Sequence, residues 1–356
     1  MRIAQVSPLI ESVPPRLYGG TERVVSFLTE ELVSMGHQVT LFASGDSRTT
    51  AELVACAPQA LRLQGGCGDP LAHHLRMIEE VYARADAFDV IHFHIDYLHY
   101  PISRARGGRH ITTLHGRLDK PELVPLYQTF HEVPVVSISD SQRRPLPLAN
   151  WQGTVYHGLP RQLLRFNGAA GSYLAFLGRI SREKRVDRAI EIARRIGMPL
   201  KIAAKLDEEE PDYLEEVRPL FDDPMVEFIG EIGEAEKESF LGGAAALLFP
   251  IDWPEPFGLV MVEAMACGTP VVGFRNGAVP EIIREGVSGF VVDNLDDAVK
   301  ATERALLLSR RRCRDDFERR FAVERMARDY LHLYDGLLEA GVRDAQRPGD
   351  SAAEAS

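Results

Sequence analysis

The chain alternates brief, mostly apolar runs with longer amphipathic stretches. In the first half, the runs occupy residues 3–6, 38–43, 90–93, 111–114 and 135–138. Between the first two runs, residues 21–35 place apolar side chains three and four positions apart, which predicts a helix that ends at Gly36. Short apolar runs without polar alternation are typical of parallel strands that are buried on both faces.

The second half repeats the pattern. Its strand-like runs occupy residues 173–177, 200–204, 226–229, 245–249, 270–273 and 290–292, and residues 184–196 form an amphipathic helix pattern. This alternation predicts an α/β protein with two Rossmann-like, doubly wound domains. Two such domains facing each other would bring their ligand-binding loops into the cleft between them.

Domain boundaries follow from where the periodicity breaks. Residues 158–171 are interrupted by proline, asparagine and glycine, which predicts an interdomain linker. We therefore assign an N-terminal domain to residues 1–160 and a C-terminal domain to residues 171–320. A helix near residues 322–338 could pack back on the first domain, and residues 339–356 are predicted to form a flexible tail.

Composition narrows the class of protein. The chain carries 41 basic and 52 acidic residues, a net charge of −11, so we expect no nucleic-acid partner. Four scattered cysteines without zinc-type spacing, and the absence of an apolar run of about 18 residues, lead us to expect a soluble cytoplasmic protein. Arginines in loops of the N-terminal half are either solvated or form a basic surface that binds an anionic acceptor or a membrane. Peripheral contact with the inner face of the membrane is therefore one of the alternatives.

The strongest motif lies between residues 254 and 270. Glu255 precedes a predicted helix that begins near Gly258, and Glu263 lies eight residues further along, inside that helix. The first amides of this helix, at residues 258–260, form an anion site suited to a diphosphate. Two carboxylates that bracket it would suit a ligand with a hydroxylated sugar on each side of the phosphates. The plainer alternative is that Glu255 caps the helix and Glu263 is solvated.

This string resembles the E-x7-E motif of the family 4 retaining glycosyltransferases, which have the GT-B fold. The resemblance implies that Glu263 binds the ribose of a nucleoside diphosphate and that Glu255 holds the donor sugar. It also implies donor contacts along the start of the helix, at Phe257, Gly258, Leu259 and Val260. No D-x-D triplet is present, so we expect no metal ion and no other cofactor.

Other family marks are recognisable by the same resemblance. Gly19 and Gly20 lie in a glycine loop that approaches the donor phosphates in the family, and glycine permits such close approach. Arg179 and Lys184 match the family's cation pair, whose charge stabilises a departing diphosphate. Ile232 falls in the loop that contacts the nucleobase through its main chain.

Histidines mark the N-terminal side of the predicted cleft. Thr113-Leu114-His115-Gly116 resembles the family's histidine beside the donor sugar. Two further residues, His94 and Arg143, are assigned to the acceptor side, and His92 is interpreted as a core residue. A metal at the His-x-His sequence is not expected because a third ligand is missing.

The combined interpretation is an enzyme that moves a hexose-type sugar from a nucleoside-diphosphate sugar to a hydroxyl acceptor with retention of configuration and without a metal. The acceptor would be a saccharide, a lipid-linked sugar or a small molecule. Two alternatives stay open: an epimerase or hydrolase of nucleotide sugars on the same fold, and a catalytically silent nucleotide-sugar binding protein. Because no G-x-G-x-x-G follows the first strand, a nicotinamide enzyme is disfavoured.

Overall fold

The structure is a computed structural model and describes residues 1–16, 19–63, 68–206 and 210–345. Tyr18 of the glycine loop, Cys67 and residues 346–356 of the predicted tail lie outside the described residues. Two parallel sheets of seven and six strands organise the described chain, each with helices packed against it. The predicted α/β, doubly wound, two-sheet class is confirmed.

The first sheet has the strand order β3-β2-β1-β4-β5-β6-β7, and all neighbouring strands are parallel. Its strands are β1 (Arg2–Val6), β2 (Gln38–Ser44), β3 (Glu52–Ala57), β4 (Val90–Phe93), β5 (His110–Thr113), β6 (Val135–Ser137) and β7 (Trp151–Thr154). The accompanying helices are α1 (Gly20–Ser34), α2 (Pro70–Ala83), α3 (Tyr100–Arg106), α4 (Leu123–Thr129) and α5 (Asp140–Arg143).

The second sheet has the order β10-β9-β8-β11-β12-β13, again with parallel neighbours. Its strands are β8 (Tyr173–Ile180), β9 (Leu200–Leu206), β10 (Val226–Gly230), β11 (Ala244–Phe249), β12 (Val271–Phe274) and β13 (Gly289–Val292). The helices of this half are α6 (Val186–Ile196), α7 (Pro211–Val217), α8 (Glu234–Gly242), α9 (Leu259–Ala266), α10 (Val279–Ile282), α11 (Leu295–Ala305), α12 (Arg310–Arg320) and α13 (Val323–Ala345).

The two edge strands of the first sheet, β3 and β7, were not predicted from the sequence. Strand β3 reads Glu-Leu-Val-Ala-Cys-Ala, a partly buried apolar run that was not assigned as a strand, whereas β7 reads Trp-Gln-Gly-Thr and has no such run. Each pairs with a single neighbouring strand, and edge position relaxes the requirement for apolar side chains on both faces. Sequence pattern therefore found the interior of each sheet and missed these edges.

The last helix crosses back to the first domain. Met326, Ala327, Tyr330 and Tyr334 of α13 are buried in one core with Ile3 of β1 and apolar residues of α1. The helix continues to Ala345, which corrects the sequence prediction that a flexible tail begins at residue 339. Periodicity weakens there because the sequence becomes rich in small and polar residues, yet the helix extends through it.

Candidate active site

A cavity of about 590 Å³ lies between the two sheets, at the ends of their strands. It is lined by every residue that the sequence assigned to catalysis or to donor binding. These are Gly19, Gly20, His115, Arg179, Lys184, Ile232, Glu255, Phe257, Gly258, Leu259, Val260 and Glu263. Residues more than 240 positions apart in the chain thus share one cleft, while their individual roles stay predictions.

The amino end of α9 faces this cavity. Gly258 is the N-cap residue with φ 86°, a left-handed conformation that glycine adopts readily, and an added Cβ would lie 2.6 Å from Met261 Cε. No side chain of the described residues caps the helix. Gly20, at the start of α1, lies directly across from Leu259, whose Cδ1 would be 3.8 Å from a Cβ at that glycine. Two helix amino ends therefore meet at the cavity, which suits an anion.

Glu255 and Lys184 form an ion pair inside the cleft. The Nζ and Oε2 atoms are 2.5 Å apart, and the two side chains are 17% and 13% exposed for Lys184 and Glu255. The ammonium group also lies 4.9 Å from the centre of the Trp253 ring. Gly277 packs against the main chain of Glu255 so closely that a Cβ there would lie 2.2 Å from its carbonyl oxygen. This fit fixes the loop that presents the carboxylate.

Glu263 has a partner that the sequence did not reveal. Its carboxylate lies 2.6 Å from the Nζ of Lys237 on α8, and its side chain is only 3% exposed. Arg23 of α1 in turn pairs with Glu234 of α8, so a chain of charges links the two domains beside Glu263. Burial lowers the pKa of Arg23, and the negative charge of Glu263 opposes that shift. No spacing rule singles out the lysine of α8, so Lys237 could only be found in three dimensions.

His115 is part of a buried cluster of histidines. Its Nε2 lies 2.8 Å from Nδ1 of His94, and its ring stacks on His157 with centroids 5.3 Å apart. Burial lowers the pKa of His115 to about 3, and burial likewise holds the pKa of His157 well below its ordinary value. Both rings are therefore neutral near pH 7. His157 lines the cavity as well, and as a single histidine just before the linker it gave no sequence signal.

The two residues assigned to the acceptor are not on the cavity wall. His94 is buried behind His115, with its Nε2 2.8 Å from Oε1 of Gln5. Arg143 donates to Thr154 at 3.4 Å and lies over the Trp151 ring. Their positions do not support direct acceptor contacts, because one ring is enclosed by its neighbours and the other side chain turns toward β7. His92 is fully buried, as interpreted from the sequence.

Charged groups also line the N-terminal side of the cleft. Glu11 pairs with Arg62 at 3.0 Å, and Arg117 reaches across to Glu183 of the C-terminal domain at 3.1 Å. Within the described parts of the chain, no three histidine, cysteine or acidic side chains are grouped so that they could hold a metal ion. None of the described helices combines the length and the apolar character that a membrane span requires.

Two facing doubly wound domains with a lined cleft between them form the GT-B architecture, which is the fold of many glycosyltransferases. Residues 168–320 match the family described as Glycosyl transferases group 1, and residues 18–135 match Glycosyltransferase Family 4. The chain belongs to the family 4 glycosyltransferases, as the resemblance from the sequence indicated.

Three similar proteins illustrate the relationship. The chain is 27% identical over 340 residues to a phosphatidyl-myo-inositol mannosyltransferase of Mycolicibacterium smegmatis, covering 84% of this chain and 82% of that protein. It is 38% identical over 112 residues to a D-inositol 3-phosphate glycosyltransferase of Corynebacterium kroppenstedtii, covering 32% of this chain but only 23% of that protein. The crystal structure of AviGT4, a glycosyltransferase involved in avilamycin A biosynthesis, superposes with a TM-score of 0.73 at 25% identity, covering 95% of this chain and 98% of that one.

Proposed function

We propose that this protein transfers a sugar from a nucleoside-diphosphate sugar to a hydroxyl acceptor, with retention of anomeric configuration and without a metal ion. The observation that carries the proposal is that one cavity holds two cations, Arg179 and Lys184, the open amino end of α9, and the two carboxylates of the motif. This combination offers a site for a diphosphate with a polyhydroxyl group on each side.

The donor would be held mainly by the C-terminal domain. Glu263 would accept hydrogen bonds from the ribose diol, and the ion pair with Lys237 fixes the orientation of this buried carboxylate. The amides at the start of α9, with Arg179 and Lys184, would bind the diphosphate. Glu255, on the far side of Lys184, would accept hydrogen bonds from the donor sugar.

Bond cleavage would rely on stabilising the leaving group. Negative charge grows on the β-phosphate as the glycosidic bond breaks, and fixed cations in a cleft stabilise that charge. The carboxylates of Glu255 and Glu263 are each held by a lysine, and that of Glu11 by Arg62, so none is positioned as a dedicated base. We infer that the departing phosphate oxygen takes the proton of the attacking hydroxyl on the same face of the sugar, which retains configuration.

The N-terminal domain would complete the site. His115 and the loop at Gly19–Gly20 line the cavity from this side and would face the place where the sugar meets the phosphates. Because the His115 ring is neutral, it adds no charge beside the positive character that develops at the anomeric carbon. The acceptor would enter from the side of Glu11 and Arg62, and exclusion of water by the two domains would limit hydrolysis of the donor.

Calorimetric titration with UDP, GDP and ADP in the presence of EDTA tests the donor site. We expect one nucleotide to bind with micromolar affinity, and Glu263→Ala to weaken it roughly 10- to 100-fold, the range for loss of hydrogen bonds to a charged group. The matched control is Glu216→Ala, which removes an exposed carboxylate of α7 outside the cavity. Product analysis by NMR with the matching sugar nucleotide then reports anomeric configuration. Absence of binding by all three nucleotides, or equal affinity in Glu263→Ala, would contradict the proposal.

A further inference from the structure

The loop that carries His115 is held by one side chain of the short helix α5. Gln142 donates from Nε2 to the carbonyl oxygens of Leu114 at 2.9 Å and of Gly116 at 2.8 Å. The carbonyl groups on both sides of His115 are therefore tied to the same buried amide. A loop after a strand end, which carries no repeating hydrogen bonds of its own, is fixed in this way at the cavity wall.

The orientation of the Gln142 amide is unambiguous. Its Oε1 accepts from the main-chain N–H of Ile138 at 2.9 Å, while its Nε2 faces only carbonyl oxygens. Since a peptide N–H can only donate and a carbonyl oxygen can only accept, a flipped amide would lose all three hydrogen bonds. Ser139 caps α5 by accepting from the N–H of Gln142 at 3.1 Å, which fixes the main chain of this residue too.

The ring of His115 is fixed from a second direction. Gln5 donates through Nε2 to the Tyr334 hydroxyl at 3.2 Å, so its Oε1 accepts from the Nε2–H of His94 at 2.8 Å. His94 is then left with an unprotonated Nδ1, which accepts from Nε2–H of His115 at 2.8 Å. Buried side-chain amides therefore hold both parts of His115. Gln142 of α5 binds the main chain on either side of it, and Gln5 of β1 orients its ring through His94.

Helix α5 is itself held by the C-terminal domain. The carboxylate of Glu281, on α10, accepts from the main-chain N–H groups of Asp140 at 2.8 Å and Ser141 at 2.7 Å. Tyr156, just before the linker, donates to the same carboxylate at 3.0 Å. The element that carries Gln142 is therefore docked on the donor domain, and its position follows the position of that domain.

We propose that Gln142 is a positioning residue for sugar transfer. It holds the loop 114–116 in place beside the donor site. Because α5 is bound by Glu281, the position of His115 then depends on how the donor domain is docked. This inference rests on the proposed function. It concerns the transfer step alone, because none of the proposed nucleotide contacts, at α9, at Arg179 and Lys184 or at the Gly19–Gly20 loop, involves α5.

Two substitutions separate this role from general stability. Gln142→Glu keeps the size of the side chain and the acceptor for Ile138 but removes both donors, whereas Gln142→Met removes all three hydrogen bonds. Gln152→Met is the matched control, since Gln152 is exposed and, among the described residues, its side chain hydrogen-bonds to Asn150. For each variant we would measure kcat, KM for donor and acceptor, the Kd of the nucleotide, and the thermal transition.

We expect kcat to fall about tenfold in both Gln142 variants, because small displacements of a group near the reacting atoms strongly reduce rate. The nucleotide Kd and donor KM should stay within twofold of the parent, and Gln152→Met should match the parent throughout. A kcat within threefold of the parent in a folded variant would overturn the inference while leaving the proposed function intact. Parallel loss of nucleotide affinity, or failure of both variants to fold, would also overturn it, because the role would then be structural. A parent protein that transfers no sugar would overturn both.

Discussion

Lys237 offers a sharp test of the reasoning about the cleft. Lys237→Met removes the cation that lies 2.6 Å from Glu263 but retains most of the aliphatic volume of the side chain. Because the Glu263 side chain is only 3% exposed, its carboxylate cannot recover the lost interaction by turning toward water. The variant should therefore leave a buried charge without its closest partner.

The magnitude follows from that burial. Breaking a buried ion pair on one side costs about 3–5 kcal/mol in general. We expect about 3 kcal/mol here, at the lower end of that range, because Arg23 lies close enough to Glu263 for their charges to interact. Replacing the unpaired Glu263 carboxylate by an amide should restore part of the lost stability. The double variant Lys237→Met, Glu263→Gln should therefore be more stable than Lys237→Met alone by roughly 1–2 kcal/mol.

The chain has two tryptophans, Trp151 in the first domain and Trp253 in the second, which provides the assay. In a Trp151→Phe background, urea unfolding followed by Trp253 fluorescence reports the C-terminal domain. A loss of about 3 kcal/mol corresponds to a midpoint shift of about 1–3 M at ordinary urea slopes. A loss below about 1 kcal/mol, together with additive effects in the double variant, would refute the view that this pair is buried and coupled.

Two further predictions concern the loop at Glu255 and acid stability. Gly277→Ala should reduce the rate of sugar transfer more than tenfold while nucleotide affinity changes little. Gly277 has φ 55°, and the new Cβ would press on the main chain of Glu255 and displace its loop. A kcat equal to that of the parent would show that the loop adapts. Stability should fall as pH drops below about 6.5, since burial lowers the pKa of His115 to about 3 and the unfolded chain then binds a proton that the folded one does not. Between pH 7.5 and 5.5, the free energy of urea unfolding should decline by about 1.4 kcal/mol less in His115→Phe than in the parent. An equal decline in both proteins would mean that His115 accepts a proton in the folded state.

Much of the fold could be predicted from the sequence because buried parallel strands and amphipathic helices have local signatures. The central strands of both sheets and helices such as α1 and α6 lie within a few residues of where the pattern placed them. The pattern did not mark β3, β7, helices α2 to α5 or the far end of α13. Strand β7 and the end of α13 have no strong hydrophobic period, because they form by pairing with one neighbour or by extending a helix that is already docked.

The candidate site shows the same division at finer scale. Sequence alone marked Glu255, Glu263 and the cation pair, because these belong to a contiguous or closely spaced string whose resemblance to a family is strong. It also pointed to Arg143, whereas the structure directs the adjacent Gln142 to the His115 loop. Successive residues of a short helix point in different directions, so only the three-dimensional placement of α5 decides which one reaches the cleft.

The sequence by itself determined the two doubly wound domains, the family, and the side chains that stand at strand ends, since each of these depends on local periodicity or on a contiguous motif. Tertiary structure alone decided that Lys237 neutralises Glu263, that His94 lies behind His115 and not beside a ligand, and that Glu281 docks α5. These contacts join residues between 21 and 141 positions apart. Charge pairing and hydrogen bonding at that separation depend on how the two domains pack, and no spacing within the chain encodes the packing.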